Sequence, residues 1–261
     1  MKEILGTILL AGVCCGIHAA DWSDTEVHLQ WGKLDAPSFA GGETSDTFIT
    51  TLQNASGWKY GTTFFFVDYL VDDHEDGFND RDFYVEFYAS LSLSHMFDRE
   101  VGLGPVKDIG PVFGINVGAD PNVVKYLPGI RFSWEAAGFR FLNTDIAAYI
   151  DDSEGAASGG APRQDNSWWV DVSWSRPFQI GEQFFEFTGH MEYIAKRDNE
   201  FDQEVAAWIL AQPQFRWDAG NALFKRKDQL YLGIEYQLWQ NKLGDKDTDE
   251  SVAQALVVWQ I

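Results

Sequence analysis

The sequence predicts an all-β protein, a transmembrane antiparallel up-and-down β-barrel of about twelve strands. Three observations predict it: polar and apolar residues alternate along segments long enough to cross a bilayer, short turns alternate with longer polar loops, and the final segment carries an apolar row. Of 261 residues, 45% are hydrophobic and 15% aromatic, a composition that excludes a disordered chain. Beyond residue 20 there is no apolar run of about 18 residues, which excludes a helical membrane protein.

Residues 1–20 have the layout of a secretory signal peptide. Lys2 precedes an apolar stretch over residues 4–17, and two alanines at the end of the segment are small enough for a cleavage site. We expect cleavage there, with residues 21–261 forming an outer-membrane β-barrel. Both cysteines of the chain lie within the segment, so the mature protein would contain neither disulfides nor thiolate chemistry.

Alternation with a period of two residues defines the strands. Between residues 82 and 94, one face carries phenylalanine, valine, alanine and leucine, whereas the other carries Tyr84, Glu86 and Tyr88 together with serines. In chain order, the predicted strands cover residues 24–32, 46–55, 58–71, 82–95, 109–118, 124–135, 138–150, 167–176, 183–195, 205–217, 229–240 and 251–261. Pro128 and Pro213 would each remove a hydrogen bond from the sheet, which predicts a bulge near each of them.

The connections differ between the two sides of the predicted sheet. With the N-terminus in the periplasm, the periplasmic turns are residues 54–57, 97–108, 135–138, 177–182 and 218–228. The opposite loops include residues 72–82, 151–165, 196–204 and 241–250, and these four carry −12 of the formal net charge of −21. Short turns on one side and longer polar loops on the other are typical of an outer-membrane barrel. The acidic composition also excludes a nucleic-acid polymer as a partner.

The C-terminal segment suits the last strand of a barrel. Ala253, Ala255, Val257, Trp259 and Ile261 form an apolar row at alternate positions, although such strands commonly end in phenylalanine. A soluble exported sugar-binding β-sandwich would also have alternating strands and exposed aromatic residues, but it rarely sustains such long alternation. Tryptophans near strand ends predict an interfacial girdle formed by Trp31, Trp58, Trp134, Trp168, Trp174, Trp217 and Trp259.

The segment Phe97–Asp108 (FDREVGLGPVKD) resembles a turn of the Tsx-like nucleoside-specific outer-membrane channels, the family that includes the OmpK proteins. The run Thr63–Tyr69, the acidic loop after it and Phe83–Tyr88 are also similar to that family. The resemblance extends loosely over residues 24–261, is sharpest at Gly104-Pro105-Val106-Lys107, and departs at Ile261 and in the Gly/Ala-rich loop 155–161. It implies a monomeric twelve-stranded barrel whose narrow pore passes nucleosides, without assigning a nucleoside contact to any single residue.

The polar faces of the predicted strands would point into the pore. The candidate substrate-contacting or pore-lining residues are Phe66, Asp68, Tyr84, Glu86, Tyr88, Arg131, Asp145, Asp171, Glu186, His190, Gln214, Arg216 and Glu235. Aromatic rings among them would stack on a nucleobase, and carboxylates, amides and arginines would bind the ribose hydroxyls. The same side chains could instead only line the barrel, with arginines and carboxylates neutralising one another.

These observations predict passive passage of small polar solutes, most specifically nucleosides, through the outer membrane. The alternatives are a general or differently selective diffusion porin and an adhesin or receptor barrel. No G-x-S-x-G, H-E-x-x-H or Walker motif is present, and the acidic residues from 72 to 76 lack calcium-loop spacing, so we expect no enzyme activity, cofactor or metal. The expected partners are outer-membrane lipid, lipopolysaccharide and the transported solutes.

Overall fold

The structure is a computed structural model that describes residues 20–74 and 78–261, and these residues form one closed antiparallel barrel. The predicted signal peptide therefore lies outside the described residues, apart from Ala20. The barrel strands are β1 (Trp22–Asp35), β2 (Thr44–Trp58), β3 (Gly61–Val71), β4 (Asp82–Leu91), β5 (Val106–Gly118), β6 (Val123–Trp134), β7 (Phe141–Asp151), β8 (Ser167–Ile180), β9 (Gln183–Ile194), β12 (Trp208–Ala211), β13 (Gln214–Asp218), β14 (Leu230–Gln240) and β15 (Glu250–Gln260).

The barrel has twelve strand positions because β12 and β13 are two halves of one interrupted strand, both lying between β9 and β14. Closure occurs between the first and last strands, where Glu26 pairs with Gln260 and Trp31 with Ala255. A separate two-stranded hairpin, β10 (Arg197–Asp198) and β11 (Glu204–Val205), lies in the loop before β12. The predicted all-β barrel of about twelve strands is confirmed.

The helical segments are all short. One α-helical turn covers Leu93–Phe97, three 3-10 turns cover Ser38–Ala40, Ala156–Ser158 and Lys242–Gly244, and a π-helical turn covers Gly220–Phe224. Within the described parts of the chain, no helix has the length and apolarity that a membrane-spanning helix requires.

The outward positions are mainly apolar and the inward positions mainly polar, the reverse of a soluble protein, although two buried apolar clusters, around Trp169 and around Val258, also lie inside. On β4, Glu86 is buried and pairs with Asn116, whereas its neighbour Phe87 pairs with Ile115 and is 38% exposed. The same alternation continues around the barrel and leaves large apolar side chains exposed at Leu29, Phe48, Leu52, Phe113, Ile130, Ile146, Phe187, Phe215, Ile234 and Leu238. This outward apolar band is what a barrel in lipid requires.

Several strand limits differ from the prediction, and the predicted turns at 54–57 and 177–182 fall wholly or mostly within β2 and β8. The strand expected over 82–95 ends at Leu91, because the Ser92 side chain accepts a hydrogen bond from the His95 amide (3.1 Å) and begins the short helix. The strand expected over 205–217 begins only at Trp208.

The sequence predicts an irregularity in the sheet near Pro213, and the strand is interrupted there. Pro213 separates β12 from β13, and opposite this break Gly189 has a φ of 142°. A Cβ atom on Gly189 would lie 2.3 Å from the carbonyl oxygen of Gln212, so only glycine fits there. The bulge expected near Pro128 is not formed: β6 continues through Pro128, which pairs with Phe113, and the bulge of this strand pair lies between Val106 and Asp108.

The two ends of the barrel have different connections. We call the end that carries Trp22 and Gln260 the terminal end; its connections cover residues 59–60, 92–105, 135–140, 181–182 and 219–229. We call the other end the loop end; its connections cover residues 36–43, 72–81, 119–122, 152–166, 195–207 and 241–249. The predicted alternation of turns and loops thus places the acid-rich loops together at one end.

Candidate functional site

The predicted site residues all lie on the inward-facing rows of their strands. Successive strands place them opposite one another: Asp68 pairs with Tyr84, Arg131 with Asp145, Asp145 with Asp171, and Gln214 with Glu235. Contact between any of them and a solute stays a prediction. The contacts that these side chains make with their neighbours in the interior determine which of them keep free polar groups.

Arg131 and Asp145 form a bidentate ion pair. The Arg131 Nε and Nη2 atoms lie 2.7 and 2.6 Å from the two Asp145 carboxylate oxygens, and Nη1 donates to the Ser90 hydroxyl at 3.2 Å. This fork geometry is strong, and Asp145 is only 2% exposed. The pair therefore satisfies itself within the wall of the barrel, which favours a lining role for both residues.

Arg216 bridges two carboxylates near the terminal end. Its Nη1 atom lies 3.1 Å from Glu26 Oε2 and 3.6 Å from Glu186 Oε2. Glu26 also accepts from the Gln53 amide and contacts the His28 ring, each at 2.8 Å. Glu26 was not among the predicted residues, although residues 26, 28 and 30 of β1 alternate with apolar residues in the same way as the other strands.

A chain of hydrogen bonds around His190 crosses the interrupted strand. The His190 ring lies 2.9 Å from Asp171 Oδ2 through Nδ1 and 2.9 Å from Gln212 Oε1 through Nε2. The Gln212 amide then donates to Gln237 at 3.0 Å and to Glu235 at 3.3 Å. The break at Pro213 thus frees Gln212 to join the network, which links four neighbouring strand positions: β8, β9, the interrupted strand and β14.

Aromatic rings surround two carboxylates that have no cationic partner within salt-bridge distance among the described residues. Tyr84 donates to Glu86 at 2.7 Å, and the Trp169 indole donates to Glu192 at 2.8 Å. The ring of Tyr88, which the sequence suggested for stacking on a base, stacks instead on Trp169 at 5.8 Å with an interplanar angle of 12°. The ring centroids of Phe66 and Tyr84 lie 6.0 Å apart. In the part of the chain that the structure describes, the middle of the interior is therefore aromatic and contains two carboxyl groups without a nearby cation.

The loop end is covered by a connection that packs into the interior. We call residues 195–207 the lid. Its Val205 and the adjoining Trp208 belong to the same buried cluster as Tyr88, Tyr149 and Trp169. Arg197, only 5% exposed, lies over the Tyr149 ring (5.1 Å) and the Trp208 ring (4.4 Å).

Polar contacts fix the lid to neighbouring loops. Arg197 Nε donates to Gln164 Oε1 at 2.7 Å, and the Ala206 amide donates to the Gly244 carbonyl at 3.0 Å. Glu200 accepts from the amides of Ala156 (2.8 Å) and Arg163 (3.1 Å). No feature of the sequence pattern predicts this docking, because these residues lie in a loop without a period.

The terminal end contains open space. A cavity of about 310 Å³ and a second of about 180 Å³ share Arg140, Glu186, Asp228 and Tyr231, and together we call them the vestibule. The remaining lining residues are Asp24, Glu26, Pro177, Phe178, Gln179, Phe184, Phe185, Asp218, Lys227 and Gln260. Among the described residues, no group of three or more histidine, cysteine or acidic side chains is arranged to hold a metal ion.

Comparisons with known proteins support the fold. No protein-family model and no curated protein matches the sequence. Among solved structures, the NanC porin is 15% identical over 90% of this chain and 100% of its own, with a TM-score of 0.52. The KdgM porin is 8% identical over 90% and 99%, with a TM-score of 0.48, and an outer membrane channel from Pseudomonas putida F1 is 11% identical over 92% and 95%, with a TM-score of 0.49. The chain thus has the fold of an outer-membrane porin.

Proposed function

We propose that this protein is a monomeric outer-membrane channel for passive passage of small polar solutes that are neutral or positively charged, with nucleosides as the candidate substrates. The observation that carries the proposal is the polar interior enclosed by an apolar outer band, in a fold shared with the NanC porin. The proposal includes no enzymatic role. The terminal end would face the periplasm and the loop end the outside.

The charge of the interior supports exclusion of anions. The buried or inward cations are Lys125, Arg131, Arg197, Arg216 and Lys242, whereas the inward carboxylates on the strands are Glu26, Asp68, Glu86, Asp145, Asp151, Asp171, Glu186, Glu192, Asp218, Glu235 and Glu250. A narrow passage between low-dielectric walls concentrates this field, so it attracts cations and repels anions. A neutral nucleoside would meet aromatic rings for its base and carboxylates and amides for its ribose.

Passage requires the lid to move, because its residues occupy the interior at the loop end. The acid-rich loops at that end would contact lipopolysaccharide through bridging divalent cations, since carboxylates bind such ions. The predicted signal peptide and lipid surroundings complete the proposed location in the outer membrane.

Planar-bilayer recording tests the function. We expect cation-selective conductance, read from the reversal potential in a KCl gradient, and a reduced current when nucleosides are added. Glu86→Gln and Tyr88→Phe should weaken the block, whereas Thr44→Ala, a change outside the interior network, should not. An anion-selective current would refute the charge argument, and a current unchanged by every nucleoside would refute the substrate while leaving a porin.

A further inference from the structure

The vestibule already holds cations that belong to the protein itself. The Lys227 ammonium lies over the Phe184 ring, 5.3 Å from its centroid, and 3.9 Å from Asp228 Oδ2. On another side, the Arg140 guanidinium lies 3.4 Å from Glu186 Oε1. An aromatic face combined with a carboxylate is the environment that an organic ammonium group prefers. The protein's own lysine thus marks a position at which an ammonium group fits.

Both of these internal cations are held weakly. The side chains of Lys227 and Arg140 are 61% and 54% exposed, and their closest carboxylate distances of 3.9 and 3.4 Å are long for ion pairs. Exposed pairs of this kind stabilise little, because water screens the charges and both long side chains lose conformational freedom in the pair. A solute carrying the same charge can therefore displace them at little cost.

Two carboxylates of the lining keep unused acceptor capacity. Asp218 is occupied, since its oxygens accept from the backbone amides of Asn221 and Asp228. Among the described residues, the Asp228 carboxylate, in contrast, accepts a hydrogen bond only from the Tyr231 hydroxyl (2.8 Å), and the Asp24 carboxylate only from the Gln260 amide (3.2 Å). Each carboxylate has room for about four hydrogen bonds.

We propose that the vestibule binds organic cations, specifically a protonated amine carried on a ring, with the ammonium over Phe184 and beside Asp228, where the Lys227 ammonium now lies, and the ring against Tyr231. Asp24, in the adjoining cavity, is the second carboxylate with free acceptor capacity. Lys227 then acts as a tethered competitor that the solute displaces. The inference rests on the proposed channel function, because it names the class of solute favoured at the periplasmic mouth. It extends that function from selectivity by charge to a binding site with defined partners.

Three probes of similar size test the proposal. Benzylamine is a cation at neutral pH, benzyl alcohol is neutral and phenylacetate is an anion. We expect the folded full-length mature barrel in detergent to bind benzylamine most tightly by isothermal titration calorimetry, and phenylacetate least. In planar bilayers, benzylamine should block the current more strongly from the terminal side than from the loop side.

The variants carry opposite expected signs. Lys227→Ala removes the competitor and should tighten benzylamine binding by about threefold, whereas Asp228→Asn should weaken it by about fivefold. Lys225→Ala is the matched control: it removes the same charge from the same turn, but Lys225 does not line the vestibule. Equal changes in Lys227→Ala and Lys225→Ala would show a diffuse charge effect and overturn the site.

The outcomes separate the site from the channel. Equal affinity for the three probes would refute the site even if the barrel conducts. Selective benzylamine binding that responds to Lys227→Ala, in a barrel that carries no current, would support the site and refute the channel. Retention of the folded band in unboiled gel samples confirms that each variant is a closed barrel.

Discussion

Arg197 holds the lid over the loop end, so its removal should open the barrel. Its guanidinium lies between the Tyr149 and Trp208 rings, and its Nε and Nη1 atoms donate to Gln164 (2.7 Å) and to the Ala195 carbonyl (3.1 Å). A desolvated cation–π contact contributes about 1–2 kcal/mol and a charged hydrogen bond about 1.5–3 kcal/mol. These gains are partly offset by the cost of burying the charge, and one Arg197 nitrogen, Nη2, has no hydrogen-bond partner.

We therefore expect Arg197→Ala to destabilise the closed lid by about 2 kcal/mol, which raises the ratio of open to closed channels about 30-fold. Single-channel recording measures this as a higher open probability. Trypsin gives a second readout, because the peptide bond between the exposed Lys196 and residue 197 should be cut faster when the lid detaches.

Lys196→Ala is the control for gating. Lys196 neighbours Arg197, but its side chain is 74% exposed and its contact with Glu204 is 3.9 Å long, so its loss should leave the open probability unchanged. Arg197→Lys keeps a cation near the two rings without the guanidinium fork, and it should give an intermediate open probability. If Arg197→Ala leaves the open probability unchanged in a folded barrel, and proteolysis of the lid is no faster, the role of Arg197 in closure is wrong.

Three further predictions concern stability and pH. Arg131→Ala leaves Asp145 buried without its cation and should lower the free energy of unfolding by about 3–5 kcal/mol in urea titrations, and the double variant with Asp145→Ala should recover part of the loss. Phe87→Arg places a charge on the lipid-facing side of β4 and should cost about 2–4 kcal/mol in lipid vesicles, whereas the same change at exposed Phe201 in the lid should cost under about 1 kcal/mol. Burial raises the pKa of Asp245, but hydrogen bonds from Thr248 and Ser38 outweigh it and hold that pKa below the ordinary value of 3.8. The contact between Asp245 and Ser38 is therefore fully present above that ordinary value and is lost as the pH falls through the lower folded-state pKa. The protection of the Ser38 amide against hydrogen exchange, taken relative to its intrinsic rate at each pH, should fall there, and Asp245→Asn should remove this pH dependence.

The sequence was sufficient to predict the strands and which of their side chains face inward, but not the contacts that these side chains make inside the barrel. Alternation alone assigned Glu86 and Phe87 to opposite faces, because a strand with one face in lipid and one in the lumen must alternate. The inward position of Trp169 could be predicted in the same way, because it lies two residues from Asp171 on the same face of β8. The pairing of Arg216 with Glu26 depends on closure between the first and last strands, which places residues 190 positions apart side by side.

The lid could not be predicted for a different reason. Arg197 docks through side chains of two strands and another loop, and its sequence neighbours show neither a period nor a turn motif. Docking of this kind depends on which loops meet above the barrel, and that follows from strand order and shear rather than from local propensity. The count of charges assigned most of the acidic residues to loops at one end of the barrel, but it could not predict that one of these loops packs into the interior.

The charge arrangement from end to end argues against a general diffusion pore. The predicted loops 72–82, 151–165, 196–204 and 241–250 at the loop end carry −12, the inward rows add further carboxylates, and the predicted turns 97–108 and 218–228 at the terminal end sum to zero. A cation arriving from the loop end would therefore remain in a negative potential as far as the vestibule, where Lys227 and Arg140 compete for the last carboxylates. When Lys227 and Arg140 return to these carboxylates they displace the bound cation, and this allows its release, since conduction needs sites that bind a solute and also release it. A non-selective pore does not require a series of charged sites. A polyanion would be repelled along most of this passage.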